Sequence, residues 1–376
     1  MDRRAFIGLM IINALLAFGN NFASAFNIVF LFNKYDMPIW SGAIYLGLGF
    51  TISVFVSVWM SWRPHIDPRN VMLIGLVFQM LEYACFLTIT NGWILSLLAG
   101  AAFGLFYPLF WTPFNILMAQ MTEKKDRGVI YGVFFFVWPA ATFVAPFLGG
   151  LVIGFASYQV LFLLGIAIIG ANLVTITAYR KYIPKDQEMK IRLDVIGRRN
   201  VLAVLGEGGF EGIFWVDVTL VAYTFTKSEY SLGALFSLFG LSAGIMAIIL
   251  GKVSDRIQNR RFFVAMSALT SIPCILLIYI SGSIDEYAVA NGLLEFASFV
   301  FPVLLFAILT DKLEKAKNDS VVSREFLLDI GRGGSIGLLM LMLYSGYTPQ
   351  QCFLLAIPFL IVGALAHEYR VEKASA

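Results

Sequence analysis

The chain is poor in charge. Of its 376 residues only 14% are charged, where soluble domains run nearer a quarter. With 59% hydrophobic residues and a mean hydropathy of +0.80, a soluble fold could not hide the apolar surface, and disorder is excluded on the same figures. Cysteine is scarce: Cys85, Cys274 and Cys352 all fall inside apolar stretches, so they read as small core hydrophobes, not as a disulfide scaffold. Of the two histidines, His65 lies outside those stretches and His367 stands at the very end of the last. A histidine proton relay in the membrane is therefore excluded, as are histidine-based metal sites and haem. A net charge of +3 offers nucleic acid no obvious attraction. No glycine-rich phosphate loop and no Ser/His/Asp set can be found. The chain is thus expected to be no enzyme, to hold no cofactor or metal, and to drive nothing by ATP on its own.

What is present is a series of apolar runs, each of about 20 residues or more. Twelve are read: 5–31, 37–60, 70–89, 92–120, 129–154, 157–179, 200–225, 230–250, 262–281, 286–310, 326–346 and 350–367. They are continuous, not alternating, which excludes a β-barrel. Met1-Asp2-Arg3-Arg4 looks like a signal-peptide start, but the run behind it is too long and lacks a small-residue cleavage site. The expected fold class is all-α integral membrane, with twelve transmembrane helices in two pseudo-symmetric six-helix bundles. If the N-terminus, every second loop and the C-terminus share one side, that side holds 24 of the 27 Lys and Arg; Lys34 and Lys227 lie on the other, and Arg332 lies within a span. Such asymmetry places both termini in the cytoplasm of a multi-pass protein of the cell membrane.

The second half echoes the first at an offset of 188 residues. Phe22, Ser24 and Phe26 align with Phe210, Gly212 and Phe214; Asp67 aligns with Asp255; Thr122–Arg127 aligns with Thr310–Lys315. The expected division is a bundle over 1–180, a cytoplasmic linker over 181–199 and a second bundle over 200–376. A parallel repeat of this kind places a binding site between the halves near the midplane.

The stretch from Gly251 to Arg261 resembles the loop signature of the major facilitator superfamily, roughly G-x-x-x-D-R-x-G-R-R. Gly251, Asp255, Arg256, Arg260 and Arg261 fit, while Gln258-Asn259 departs from it. Pro146-Phe147-Leu148-Gly149-Gly150 is similar to the P-x-x-G-G of that family's fifth helix. The resemblance implies that spans 1, 4, 7 and 10 line a central cavity. Apart from any family, an acid at a loop can face a neighbouring helix N-terminus. Asp255 is expected against the start of span 5, at Arg127, and Asp67 against the start of span 11, at Arg324. Gly251, Asp255, Arg256, Arg127 and Asp67 then form a conformational gate; the alternative is a solvated loop that only sets topology.

A charge at the bilayer centre costs about 2.5–3.5 kcal/mol on insertion scales. Six acids and one base are read inside the spans: Glu82, Glu207, Glu211, Asp217, Glu295, Asp329 and Arg332. Glu207 and Glu211 are four apart and share a helix face with Trp215; two ionised carboxylates there repel, so one is expected to hold a proton. Asp329 and Arg332, three apart, can pair. Glu207, Glu211, Glu82, Asp329 and Arg332 are the candidates for proton coupling, and packing ion pairs are the alternative for each. Asn20, Asn21, Ser24 and Asn27 in span 1, Tyr107, Trp111 and Asn115 in span 4, and Trp138, Trp215 and Glu295 are the candidate substrate contacts.

These features favour a secondary active transporter working by alternating access, with protons and a small-molecule substrate as partners and the chain monomeric in the lipid bilayer. An acidic cavity disfavours anions, so proton-coupled efflux of a lipophilic or cationic molecule is the first expectation. Proton-coupled uptake of a sugar or other neutral metabolite is the rival, and carboxylate-borne transport of a divalent metal is a third. A transport-inactive scaffold or receptor is the alternative of another class.

Overall fold

The computed structural model describes residues 3–63, 65–121, 127–253, 260–312 and 317–366, with side chains described over 4–63, 65–120, 136–250, 260–309 and 318–366. Among these residues it is helical throughout, apart from short loops and one isolated backbone bridge between Ile66 and Gln187.

Span 1 is Arg3–Ala23 continued by Asn27–Tyr35, with a 3-10 turn over Ser24–Phe26 between them. Span 2 is Gly42–Ser61 after a 3-10 turn, span 3 Pro68–Thr88, span 4 Gly92–Met121, span 5 Arg127–Phe155 and span 6 Tyr158–Tyr179. Span 7 is Arg198–Phe225, span 8 Glu229–Val253, span 9 Arg260–Ile280 and span 11 Lys317–Tyr344. Span 10 is divided into Ile284–Ser298 and Val300–Lys312, and span 12 into Pro349–Phe353 and Ala356–Ala366. Both divisions have a covalent cause. Pro302 and Pro358 carry no N–H for the carbonyls four residues back, Ser298 and Leu354.

Among the described residues eleven of these spans are long and apolar enough to cross a membrane. The exception is span 7. Its 28 residues are long enough at about 1.5 Å each, but Glu207, Glu211, Asp217 and two leading arginines lower its hydropathy. Span 11 starts nine residues earlier than the apolar run suggests, at Lys317. It thereby brings Arg324 and Glu325, 7% and 4% exposed, inside the bundle. Arg332 is therefore not the lone base within the spans.

Spans 1 to 6 pack on one another, as do spans 7 to 12, and the two groups meet where span 5 lies on span 8 and span 2 on span 11. Glycine makes the first crossing close: a Cβ on Gly233 would stand 2.5 Å from the Pro146 carbonyl oxygen, so any larger residue would force the helices apart. On the side away from the termini, Asn33 Nδ2 donates to Glu229 Oε1 at 2.6 Å and to the Lys227 carbonyl at 3.2 Å, while Tyr223 donates to Asn33 at 2.8 Å. Trp40 packs on Trp93 and edge-on to Tyr344, with centroids 5.4 and 5.6 Å apart, aromatic residues at a membrane-interface depth.

The segment between the halves is no loose loop. Ile66 and Gln187 exchange backbone hydrogen bonds of 3.1 and 2.9 Å. The Ile191 N–H donates to Ser61 Oγ at 2.9 Å, and the Arg192 N–H to Ser323 Oγ at 2.7 Å. Met189 is fully buried among Met60, Ile66, Ile116, Val321 and Val322. The segment so fastens the ends of spans 2, 4 and 11 on the terminus side.

Candidate functional site

A cavity of about 470 Å³ lies between the two helix groups. Its first wall comes from spans 1 to 5 and is neutral: Asn20, Asn21, Ser24, Gln79, Tyr107, Trp111, Asn115 and Trp138. Its second wall comes from spans 7, 10 and 11 and is charged: Glu211, Arg324, Glu325 and Arg332, with Trp215, Phe299, Val303 and Phe306 between them.

The neutral wall is largely pre-bonded. Asn20 Oδ1 accepts from Gln79 Nε2. Asn21 Nδ2 donates to the Ala17 carbonyl at 2.8 Å, and its Oδ1 accepts from Thr142 at 2.9 Å. Trp138 Nε1 donates to Asn13 Oδ1 at 3.2 Å, and its ring lies 5.5 Å from that of Trp111. Pro108 and Pro113 lie within span 4 on either side of Trp111. They free carbonyls of that helix beside the cavity, where non-ideal backbone is tolerated.

The charged wall exists because spans 7 and 11 approach at backbone distance. A Cβ on Gly331 would stand 2.6 Å from the Leu205 carbonyl oxygen. At that separation each arginine of span 11 reaches an acid of span 7. Arg324 pairs with Glu207, and at 2.9 Å with Glu325. Arg332 Nη2 and Nε donate to Glu211 Oε2 at 2.5 and 2.9 Å, and Nη1 donates to Asp329 Oδ1 at 2.9 Å. The Arg332 guanidinium also lies over three rings, Trp215 at 4.7 Å, Tyr107 at 5.3 Å and Phe50 at 5.4 Å. Asp329 accepts a further hydrogen bond from Ser53 of span 2, so the network ends on the other helix group.

Several expectations are corrected by this arrangement. Glu207 and Glu211 do not stand without counter-ions: each is met by an arginine of span 11, Arg324 and Arg332. Glu207 and Asp329 are buried behind the cavity wall. Asn27 leaves the span 1 stripe. After the 3-10 turn its side chain faces Tyr45 at 3.0 Å and Glu82 Oε1 at 2.8 Å. Glu82, which also accepts from Tyr45, is fully buried within the first helix group with its Oε2 unpartnered. Glu295 opens onto a smaller adjoining pocket, not onto the main cavity. Asp67 does not face span 11. It caps its own helix, accepting from the Arg69 N–H at 3.0 Å and from the Arg69 guanidinium at 2.8 and 2.6 Å. That pairing holds its carboxyl below the usual range. Of the other proposed gate residues, Asp255 and Arg256 lie outside the described residues, as do the side chains of Gly251 and Arg127.

Sequence reasoning missed Arg324, Glu325 and Gln79. The first two carried a signal. Arg324, Leu328 and Arg332 stand at helical spacing, as do Glu325 and Asp329, so one face of span 11 is charged for two turns before its apolar run begins. Gln79 stands three residues before Glu82 in span 3, a helical spacing that puts the two polar side chains on neighbouring positions of one face.

Among the described residues, eleven spans of membrane-crossing length and apolarity, with span 7 beside them, pack in two groups about a cavity that is charged on one wall, and so define a multi-pass membrane protein built around a central compartment. The family model described as "Major Facilitator Superfamily" matches residues 9–194 and 200–374, and the chain belongs to that superfamily. It is similar to the "Uncharacterized protein YqgE" of Bacillus subtilis (strain 168), 24% identical over 261 residues, 64% of this chain and 59% of that protein. It is also similar to the "Methylenomycin A resistance protein" of the same organism, 27% identical over 141 residues, 37% of this chain and 29% of that protein. The match thus spans less than two thirds of either relative. Among solved structures it is similar to the human organic anion transporter MFSD10 (TETRAN), with a TM-score of 0.62 at 15% identity, covering 96% of this chain and 97% of that one. A POT family transporter in complex with 5-aminolevulinic acid gives a TM-score of 0.70 at 13% identity, covering 96% and 94%. At these identities the two structures show a shared fold.

Proposed function

We propose that the chain is a secondary active transporter that carries a small solute by alternating access of the central cavity, in exchange for protons. One observation carries the reading: the charged wall of the cavity and the layer buried directly behind it hold four acids, Glu207, Glu211, Glu325 and Asp329, against two arginines, Arg324 and Arg332. In low dielectric an excess of two carboxylates is costly, and it is relieved by taking up protons or a cationic solute. A solute that arrives as a proton leaves is exchange. Because Asp329 ends on Ser53, the charge state of the wall bears directly on the contact between the helix groups. Glu211, exposed to the cavity, is the proton carrier in this reading, and Arg332 is the residue that answers it. Trp111, Trp138, Trp215 and Tyr107 supply the surface for a lipophilic body. Export is the favoured direction, in line with the resistance named for one relative. The 24 Lys and Arg on the terminus side support an orientation with both termini in the cytoplasm and the cell membrane as the setting.

Reconstituted vesicles with an imposed pH gradient and an internal pH dye test the reading. A panel of organic cations and neutral solutes is expected to yield at least one that drives proton movement, and Glu211→Gln is expected to abolish it. Solute flux indifferent to the gradient would exclude proton exchange. Flux of no solute at all would favour a scaffold. A reporter fused to the C-terminus tests the orientation.

A further inference from the structure

We propose that the pocket around Glu295 is a seat for an organic ammonium group, so that the transported molecule is an amphipathic cation with its charged head beside Glu295 and its apolar body in the main cavity. The proposal rests on the transport reading above and adds the class of substrate and the place of its charge.

The pocket has a volume of about 130 Å³ and adjoins the main cavity, with Asn21, Ala25, Trp215 and Thr219 lining both. At roughly 30 Å³ per water-sized group it has room for about four such groups, the size of a nitrogen with three methyl substituents. Its one acid is Glu295, half-buried where span 10 approaches its proline-made break. No lysine or arginine is among the residues that line it. That separates Glu295 from Glu211, whose carboxylate is already taken by Arg332. Phe214, Trp215, Phe236 and Phe239 bring four rings to the lining, beside the neutral polar side chains of Asn21, Thr142 and Thr219.

A carboxylate among ring faces is a chemistry specific for an organic cation. The rings attract the positive charge through their quadrupoles and tolerate its alkyl groups, and the acid supplies the counter-charge. A metal ion would need several oxygen ligands, whereas Glu295 is the one carboxylate in the lining and Asn21 and Thr142 are already bonded to each other at 2.9 Å. An anion would meet Glu295 directly. The molecule already uses one of these rings in this way, since the Trp215 indole carries the Arg332 guanidinium at 4.7 Å. Trp215 is therefore the partition between the protein's own cation and the pocket meant for a foreign one.

The test is equilibrium binding to the purified full-length chain in lipid nanodiscs, with no gradient, read by tryptophan fluorescence. The probes are choline and its uncharged carbon isostere, 3,3-dimethylbutan-1-ol. The wild type is expected to prefer choline by about tenfold or more. Glu295→Gln is expected to bring that preference close to one while leaving the affinity for the alcohol within about twofold. Trp215→Leu, which keeps the acid and removes the partition ring, is expected to lower the preference several-fold and serves if Glu295→Gln does not fold. Equal affinity of the wild type for the two probes overturns the proposal, as does a preference unchanged in either variant. Binding without turnover keeps the two readings apart. A chain that prefers choline but moves no protons contradicts the transport reading, and one that couples protons but ignores the charge of the probe contradicts this site.

Discussion

Arg332→Gln is the sharpest test of the charged wall. Arg332 is 4% exposed and makes three hydrogen bonds to two carboxylates, at 2.5, 2.9 and 2.9 Å. Glutamine keeps polarity and much of the length but removes the charge, leaving Glu211 and Asp329 without their shared counter-ion. Removing one member of a buried ion pair costs about 3–5 kcal/mol, because the other charge is stranded. The loss of the guanidinium from the faces of Trp215, Tyr107 and Phe50 adds to this. At roughly 2 °C per kcal/mol for a chain of this size, melting should fall by about 6–10 °C. The protein supplies its own reporter. Cys274 and Cys352 are buried and Cys85 half-buried, with no disulfide among them, so a thiol-reactive fluorophore lights up as the fold opens. The double variant Arg332→Gln/Glu211→Gln should recover most of the loss, since Asp329 keeps its hydrogen bond from Ser53. A single variant that melts within about 1 °C of wild type, a shift of under about 0.5 kcal/mol, would show that these charges are not stranded in low dielectric, and the account of the wall would fail with it.

Three further outcomes follow from the packing. Gly233→Val should cost about 1–3 kcal/mol by overpacking and open the crossing of spans 5 and 8, whereas Gly154→Val, whose Cβ would meet nothing within 4 Å, should be silent in the same thiol assay. Met189→Ala should cost about 2–3 kcal/mol and hasten proteolysis of the 181–199 segment; unchanged cleavage would mean that this segment does not hold the terminus side together. Asp67 is depressed in the folded chain by Arg69, so its contribution is complete above its unfolded value and is lost as pH falls through the lower folded value. Asp67→Asn, which keeps a capping side chain but loses the charge facing Arg69, should therefore be weaker than wild type at neutral pH by about 0.5–1 kcal/mol, with the gap closing below about pH 4; a gap constant down to pH 2 would refute the pairing.

The sequence spoke most clearly where hydropathy and charge act residue by residue. Twelve runs, their alternation and the basic bias of one side follow from transfer free energies that depend on little beyond composition. Asn20, Ser24, Tyr107, Trp111, Asn115 and Trp215 are placed on the cavity as their helical spacing suggests. The same reasoning failed at Asn27, where three residues of 3-10 turn shift the helix face, and at Arg324, which lies outside the apolar run beginning at 326 and is nonetheless buried by the bundle. It also failed at Asp67, for which a distant helix end was expected and a neighbour two residues away was found.

By itself the sequence determined that this protein is a series of membrane-length apolar helices, because lipid and water judge each segment on its own. The tertiary structure alone decided partnership. Whether Glu207 and Glu211 repel or are each met by an arginine, whether Glu82 faces a cavity or a tyrosine, and that no lysine or arginine is among the described residues lining the pocket of Glu295 all depend on side chains far apart in the chain. Such contacts are set by how closely glycine lets helices approach, and helical periodicity within one span carries no record of them.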